Sequence, residues 1–105
     1  MIGGMAILAS LPLIAAATAA SAPSKHSIVI EHMRFGAVPT DIKTGDTIVW
    51  INRDIVAHTA TARDGSFDVE LPAGGKAETR VANPGTIAFY CRYHPTMRGS
   101  LVVAR

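Results

Sequence analysis

The sequence predicts an all-β fold, a sandwich or barrel of about seven to eight short strands. Three observations carry this. Apolar, often β-branched residues alternate with polar ones in short runs, as in Phe67-Asp68-Val69-Glu70-Leu71. Turn residues separate the runs at regular intervals: Thr44-Gly45-Asp46, Arg63-Asp64-Gly65-Ser66, Pro72-Ala73-Gly74-Gly75 and Ala82-Asn83-Pro84-Gly85. No amphipathic helical period and no internal repeat follows residue 25.

The first strand is His26 to Met33, where Ile28, Val29 and Ile30 supply the β-branched residues. Phe35 to Pro39 reads as a bend and Thr40 to Lys43 as a short extended piece. Thr47 to Asn52 is a strand carrying the only Trp, Trp50. Arg53 to Ala57 is a loop, and His58 to Ala62 is extended. Phe67 to Leu71 and Lys76 to Val81 are strands. Thr86 to Cys91 is a strand that delivers its Cys to one end of the domain, and Gly99 to Ala104 is the last strand. Trp50, Phe67, Phe89 and the alternating Ile and Val residues are the expected core.

Residues 1–20 stand apart. An apolar run from Ile2 to Ile14 passes into the small residues Ala15 to Ala20, which is the pattern of a secretory signal segment. Cleavage is expected near Ala19 or Ala20, leaving residues 21–105 as one small domain. The run is short of the ~20 residues that span a bilayer and is broken by Pro12, so no stable membrane insertion is expected after its removal. No Lys or Arg precedes it. Ser21 to Ser24 is expected to be a loose leader.

The chain has 105 residues and a formal net charge of +2, with no basic run or aromatic-interleaved basic stripe, which excludes a nucleic-acid surface. One Cys excludes an internal disulfide, and with it the paired-Cys immunoglobulin pattern. A domain this small benefits from a staple such as a metal, and ligation protects a lone exported thiol.

The ligands for such a metal are legible. Cys91-Arg92-Tyr93-His94-Pro95-Thr96-Met97 reads C-x-x-H-x-x-M, and His58 lies upstream at the start of a strand. Two His, one Cys and a weak axial Met form the donor set of a blue-copper electron-transfer site. Cys91 would ligate as the thiolate, His58 and His94 through ring nitrogens, and Met97 as the long contact that tunes potential. A buried core thiol, a surface His or a filler Met is the ordinary reading of each residue alone; their joint spacing overrides it. Zinc is disfavoured because the fourth ligand would be a thioether. A Cys–His nucleophile lacks an orienting third group and an oxyanion motif, so the chain is not expected to be an enzyme. His26 and His32 are read as surface residues.

With these residues in place, the chain resembles the small blue copper proteins, the cupredoxins, and within them the amicyanin and plastocyanin–pseudoazurin groups. The matching stretches are Thr44 to Asp54, then His58, then Tyr90-Cys91, His94-Pro95 and Met97-Arg98-Gly99. The resemblance covers about residues 26 to 104. Two residues between Cys and His, and two between His and Met, form the short ligand loop of amicyanins. The resemblance implies a Greek-key β-sandwich holding one type 1 copper at one end through His58, Cys91, His94 and Met97. It also implies one-electron shuttling in the periplasm between redox partners, for example a dehydrogenase and a c-type cytochrome, by a monomer.

Departures from the family pattern set further expectations. Thr59 stands where the family usually has Asn, so its backbone N–H is expected to reach the Cys sulfur while the side-chain tie between loops weakens. Tyr93 stands where amicyanin has Pro, and its N–H is expected to be a second donor to that sulfur. Arg92 and Arg98 flank the loop as candidates for steering acidic partners. Val56, Ala57, Gly74, Gly75 and Thr96 occupy the region that is Met- and Pro-rich in amicyanin, so amicyanin's partner is not carried over. The competing function is copper binding or delivery in the periplasm, which a thiolate-to-Cu(II) visible band distinguishes from the shuttle.

Overall fold

In the computed structural model, residues 3, 4, 6, 7, 9–12 and 22–105 are described. The expected cleavage point at Ala19 or Ala20 lies outside them. No helix among the described residues is long and apolar enough to cross a membrane. Eight strands form: β1 (Lys25–Glu31), β2 (Arg34–Phe35), β3 (Thr47–Asn52), β4 (His58–Ala62), β5 (Asp68–Leu71), β6 (Lys76–Arg80), β7 (Gly85–Tyr90) and β8 (Arg98–Val103). They make two four-stranded sheets, ordered β2-β1-β3-β6 and β5-β4-β7-β8. The chain changes sheet after β3, β5 and β6, which gives the crossed connections of a Greek-key sandwich. β1 and β3 run parallel, with Ile28 opposite Trp50; the other strand pairs are antiparallel.

The alternation read from the sequence becomes inward-facing rows. Ile28 and Ile30 of β1, Ile48 and Trp50 of β3, Ile87 and Phe89 of β7, and Leu101 and Val103 of β8 are all buried. Trp50 sits at the centre, with ring centroids 5.0 Å from Phe89, 5.7 Å from Phe67 and 6.0 Å from Phe35. Its indole N–H donates to the Thr79 hydroxyl at 3.0 Å, so the buried polar atom has a partner. Gly99 lies opposite Phe89 in the β7–β8 ladder, because a Cβ there would sit 2.5 Å from the ring.

Three expectations change. The first strand ends at Glu31, and a two-residue turn of His32 and Met33 leads into the short β2, where a bend was expected. Both turn residues have positive φ, 55° and 58°. This is type I′ hairpin geometry, normally filled by Asn and Gly, and so is not signalled by His-Met. Residues 40–43 do not form a strand; Lys43 makes a single parallel bridge to Ala104. Ser24 is not loose, since its N–H donates to Asp46 at 2.9 Å and its carbonyl accepts from Thr47 N–H at 3.0 Å.

Candidate metal centre

β4 is buried along its whole length. His58, Ala60 and Ala62 alternate with Thr59 and Thr61, so the strand presents two covered faces. His58 opens the strand with no exposure. β4 pairs with β7 only at Thr61–Tyr90 and Ala62–Phe89. Beyond that point the main-chain ladder stops. Thr59 N–H donates to Cys91 Sγ at 3.4 Å, and Arg92 N–H donates to Thr59 Oγ1 at 2.8 Å. The side-chain tie between the two segments, expected to weaken without Asn, is made by the threonine hydroxyl. Thr59 N–H is the main-chain donor that reaches the sulfur among the described residues; the expected second bond from Tyr93 N–H does not form. The loop turns back on itself there, with His94 N–H donating to Cys91 O at 3.3 Å and Met97 N–H to His94 O at 2.8 Å.

The turn brings three donor atoms together. The ligand atoms of His58, Cys91 and His94 all lie within 4.8 Å of one another. Cys91 Sγ is 3.8 Å from His58 Nδ1 and 3.7 Å from His94 Nδ1. Metal–sulfur and metal–nitrogen bonds of about 2.3 and 2.0 Å meeting at about 120° put sulfur and nitrogen about 3.7 Å apart. The spacing therefore fits one trigonal N₂S-bound ion. Cys91 is fully buried and His94 partly exposed. Met97 is buried in the core beside them, and its carbonyl accepts the Cys91 N–H at 3.0 Å.

The other ring nitrogen of His58 is held by Asp54, Nε2 to Oδ2 at 2.7 Å. A carboxylate there accepts Nε2–H, which leaves Nδ1 unprotonated and facing the sulfur. Asp54 is itself gripped from the left-handed turn: His32 N–H and Met33 N–H donate to its two oxygens at 2.8 and 3.0 Å. Its own N–H donates to Asn52 Oδ1 at 2.9 Å. Buried Asn52 bonds in turn to the carbonyls of Val56, Leu71 and Pro72. The His58 bond, followed by those from Met33 and His32, lowers the Asp54 carboxyl below its ordinary value, so it is anionic at neutral pH. Sequence reading missed Asp54, which falls in the loop read from Arg53 to Ala57; a carboxylate four residues before His58 was the available signal.

Arg92 is not a free docking charge. Its Nε donates to Asp68 at 3.1 Å and its Nη2 to Glu70 at 2.7 Å, so two acids offset it. His26 is not a surface residue either; its ring is 10% exposed and bonds Asp46 at 2.8 Å, remote in sequence from the donor cluster. His32 is exposed, as expected.

A family model for the cupredoxin-like domain matches residues 4–103. The chain belongs to the cupredoxin family. Amicyanin from Paracoccus versutus is 29% identical over 81% of this chain and 70% of its own length. Amicyanin from Paracoccus denitrificans is 28% identical over 96% and 82%. Amicyanin-alpha from Methylorubrum extorquens is 32% identical over 72% and 69%. Among solved structures, the Cu(I) form of a methionine-to-alanine variant of amicyanin superposes with a TM-score of 0.67 at 26% identity, covering 78% of this chain and 84% of that one. The donor set and the family agree on one type 1 copper as the cofactor.

Proposed function

We propose that this cupredoxin is a periplasmic blue-copper electron carrier, with residues 21–105 as the mature domain and His58, Cys91, His94 and Met97 as the copper ligands. The observation that carries the reading is the pair of Nδ1 atoms facing one buried Cys sulfur at 3.8 and 3.7 Å. Bound copper supplies one-electron chemistry by cycling between Cu(I) and Cu(II).

The chain's residues do the rest. Cys91 presents a thiolate sheltered from water and braced by the Thr59 N–H. Asp54 fixes the ring of His58 and its tautomer, so this ligand is oriented before metal arrives. Met97 is anchored through its backbone to Cys91. A scaffold of two sheets holds all four positions, which keeps the site's shape nearly constant between oxidation states. His94, the least buried ligand, lies where an electron enters or leaves. The chain turns over no substrate of its own; its partners are a redox donor and acceptor, a dehydrogenase and a c-type cytochrome being examples of the class.

The test is copper titration followed by visible and EPR spectroscopy. One copper per chain and an intense band in the visible are expected, and Cys91→Ser should abolish that band. A blue colour that survives in Cys91→Ser would refute the assignment.

A further inference from the structure

Both residues between Cys91 and His94 reach away from the donor cluster to the same strand, β5, which carries no ligand. The Tyr93 hydroxyl donates to Glu70 Oε2 at 2.6 Å, and Arg92 Nη2 donates to Glu70 Oε1 at 2.7 Å. Arg92 Nε donates to Asp68 Oδ1 at 3.1 Å, and the same oxygen accepts from the Thr61 hydroxyl at 2.7 Å. Thr61 Oγ1 lies 2.9 Å from Thr59 Oγ1, which accepts the Arg92 N–H. The β4–β5 register explains the convergence. Thr59 is opposite Glu70 and Thr61 opposite Asp68, so all four side chains stand on one face of the sheet. The ligand loop lies against that face. The result is a closed circuit of hydrogen bonds around the Cys91–His94 segment, with Glu70 engaging two loop side chains by separate oxygens.

We propose that Glu70 is a positioning residue for the metal site, clamping the Arg92–Tyr93 pair so that His94 keeps its place relative to Cys91. The proposal rests on the ligand assignment above. Single surface ion pairs contribute little to stability, but this one belongs to a network fixed at four points on a strand pair. Its effect is local. Glu70 touches no ligand, so its removal loosens the loop rather than unfolding the sandwich. With the clamp, His94 has one position to offer in both oxidation states. Without it, the ring samples several, and the site must reorganise on each electron transfer.

The test is amide hydrogen exchange by NMR on the Cu(I) protein and on the metal-free chain, for wild type, Glu70→Ala, Glu70→Gln and Tyr93→Phe. In Glu70→Ala, exchange at the His94 and Met97 amides should quicken about 3- to 10-fold, while Ile48 and Trp50 in β3 keep their wild-type rates. Glu70→Gln, which retains an acceptor oxygen, should recover part of the protection. Tyr93→Phe, which deletes one of the two donors, should fall between. The EPR spectrum of oxidised Glu70→Ala should broaden as the ligand geometry spreads. Unchanged loop exchange in Glu70→Ala overturns the proposal, as does a rise shared equally by β3. A wild type that takes up no copper fails the functional reading alone, because loop exchange in the metal-free chain still reports on the clamp.

Discussion

Replacing Asp54 by Asn should raise the reduction potential of the copper site, and the structure sets the size of the change. The Asp54 carboxylate lies 2.7 Å from His58 Nε2. Adding the width of an imidazole and a metal–nitrogen bond of about 2.0 Å puts its charge about 6–7 Å from a metal on Nδ1. A unit charge at that distance favours the more positive oxidation state by about 0.6 kcal/mol if screened as in water, and by about 2.6 kcal/mol at an effective dielectric of about 20. At about 59 mV per 1.4 kcal/mol for one electron, losing it moves the potential up by about 25–110 mV. The upper half of that range is expected, since the Asp54 side chain is only 14% exposed and the ring not at all. The amide of the Asp54→Asn variant would also turn its NH₂ toward one of the two N–H donors of the His32–Met33 turn, costing about 1–3 kcal/mol of stability. Spectroelectrochemistry of the blue band measures the potential, and circular dichroism checks the fold. A potential that falls or stays still, with band and fold intact, refutes the electrostatic role assigned to Asp54.

Thr59→Val keeps the N–H to sulfur but strands the Arg92 N–H; denaturant unfolding should show a loss of about 1–3 kcal/mol, which Thr59→Ser restores. Gly99→Ala forces a methyl group into the Phe89 ring, 2.5 Å from its nearest carbon, and should cost about 1–3 kcal/mol in the same assay. Asp46 accepts N–H bonds from Ser24 and Lys43 and pairs with His26, which lowers its carboxyl from 3.8 to about 2. The unfolded chain binds that proton first, so the stabilisation is present above pH ~4 and lost as pH falls toward ~2. Melting temperatures of Asp46→Asn should therefore depend less on pH than wild type across that window.

The strands that span the sandwich were legible because one face of each is buried, which imposes a period of two on Ile28, Ile30, Ile48, Trp50, Ile87 and Phe89. The donor cluster was legible because two of its three members, Cys91 and His94, share one loop. What escaped was whatever depended on pairing between distant segments. Asp68 and Glu70 read as the solvent-facing side of an alternating strand. Only the β4–β5 register, with the ligand loop folded over it, gives them partners. The His32–Met33 hairpin escaped because its left-handed backbone is held by the Asp54 carboxylate, 21 and 22 residues away, rather than by Gly or Asn. Sequence spacing points the Tyr93 N–H at the sulfur; the loop instead closes through His94 N–H on Cys91 O.

The clasp at Asp46 also sets which way the molecule faces. Asp46 precedes β3 and ties down Ser24, while Ala104 N–H donates to Ile42 O beside it, so the described domain is entered and left at that pole. β3 then runs to Asn52, whose side chain braces the loops around His58. Five steps of about 3.3 Å put the two poles about 17 Å apart. A linker joined before Ser24 or after Ala104, to an electrode or to another protein, therefore leaves the donor cluster pointing away from the support. Either junction serves for building oriented monolayers in which the exposed edge of His94 meets the opposing surface.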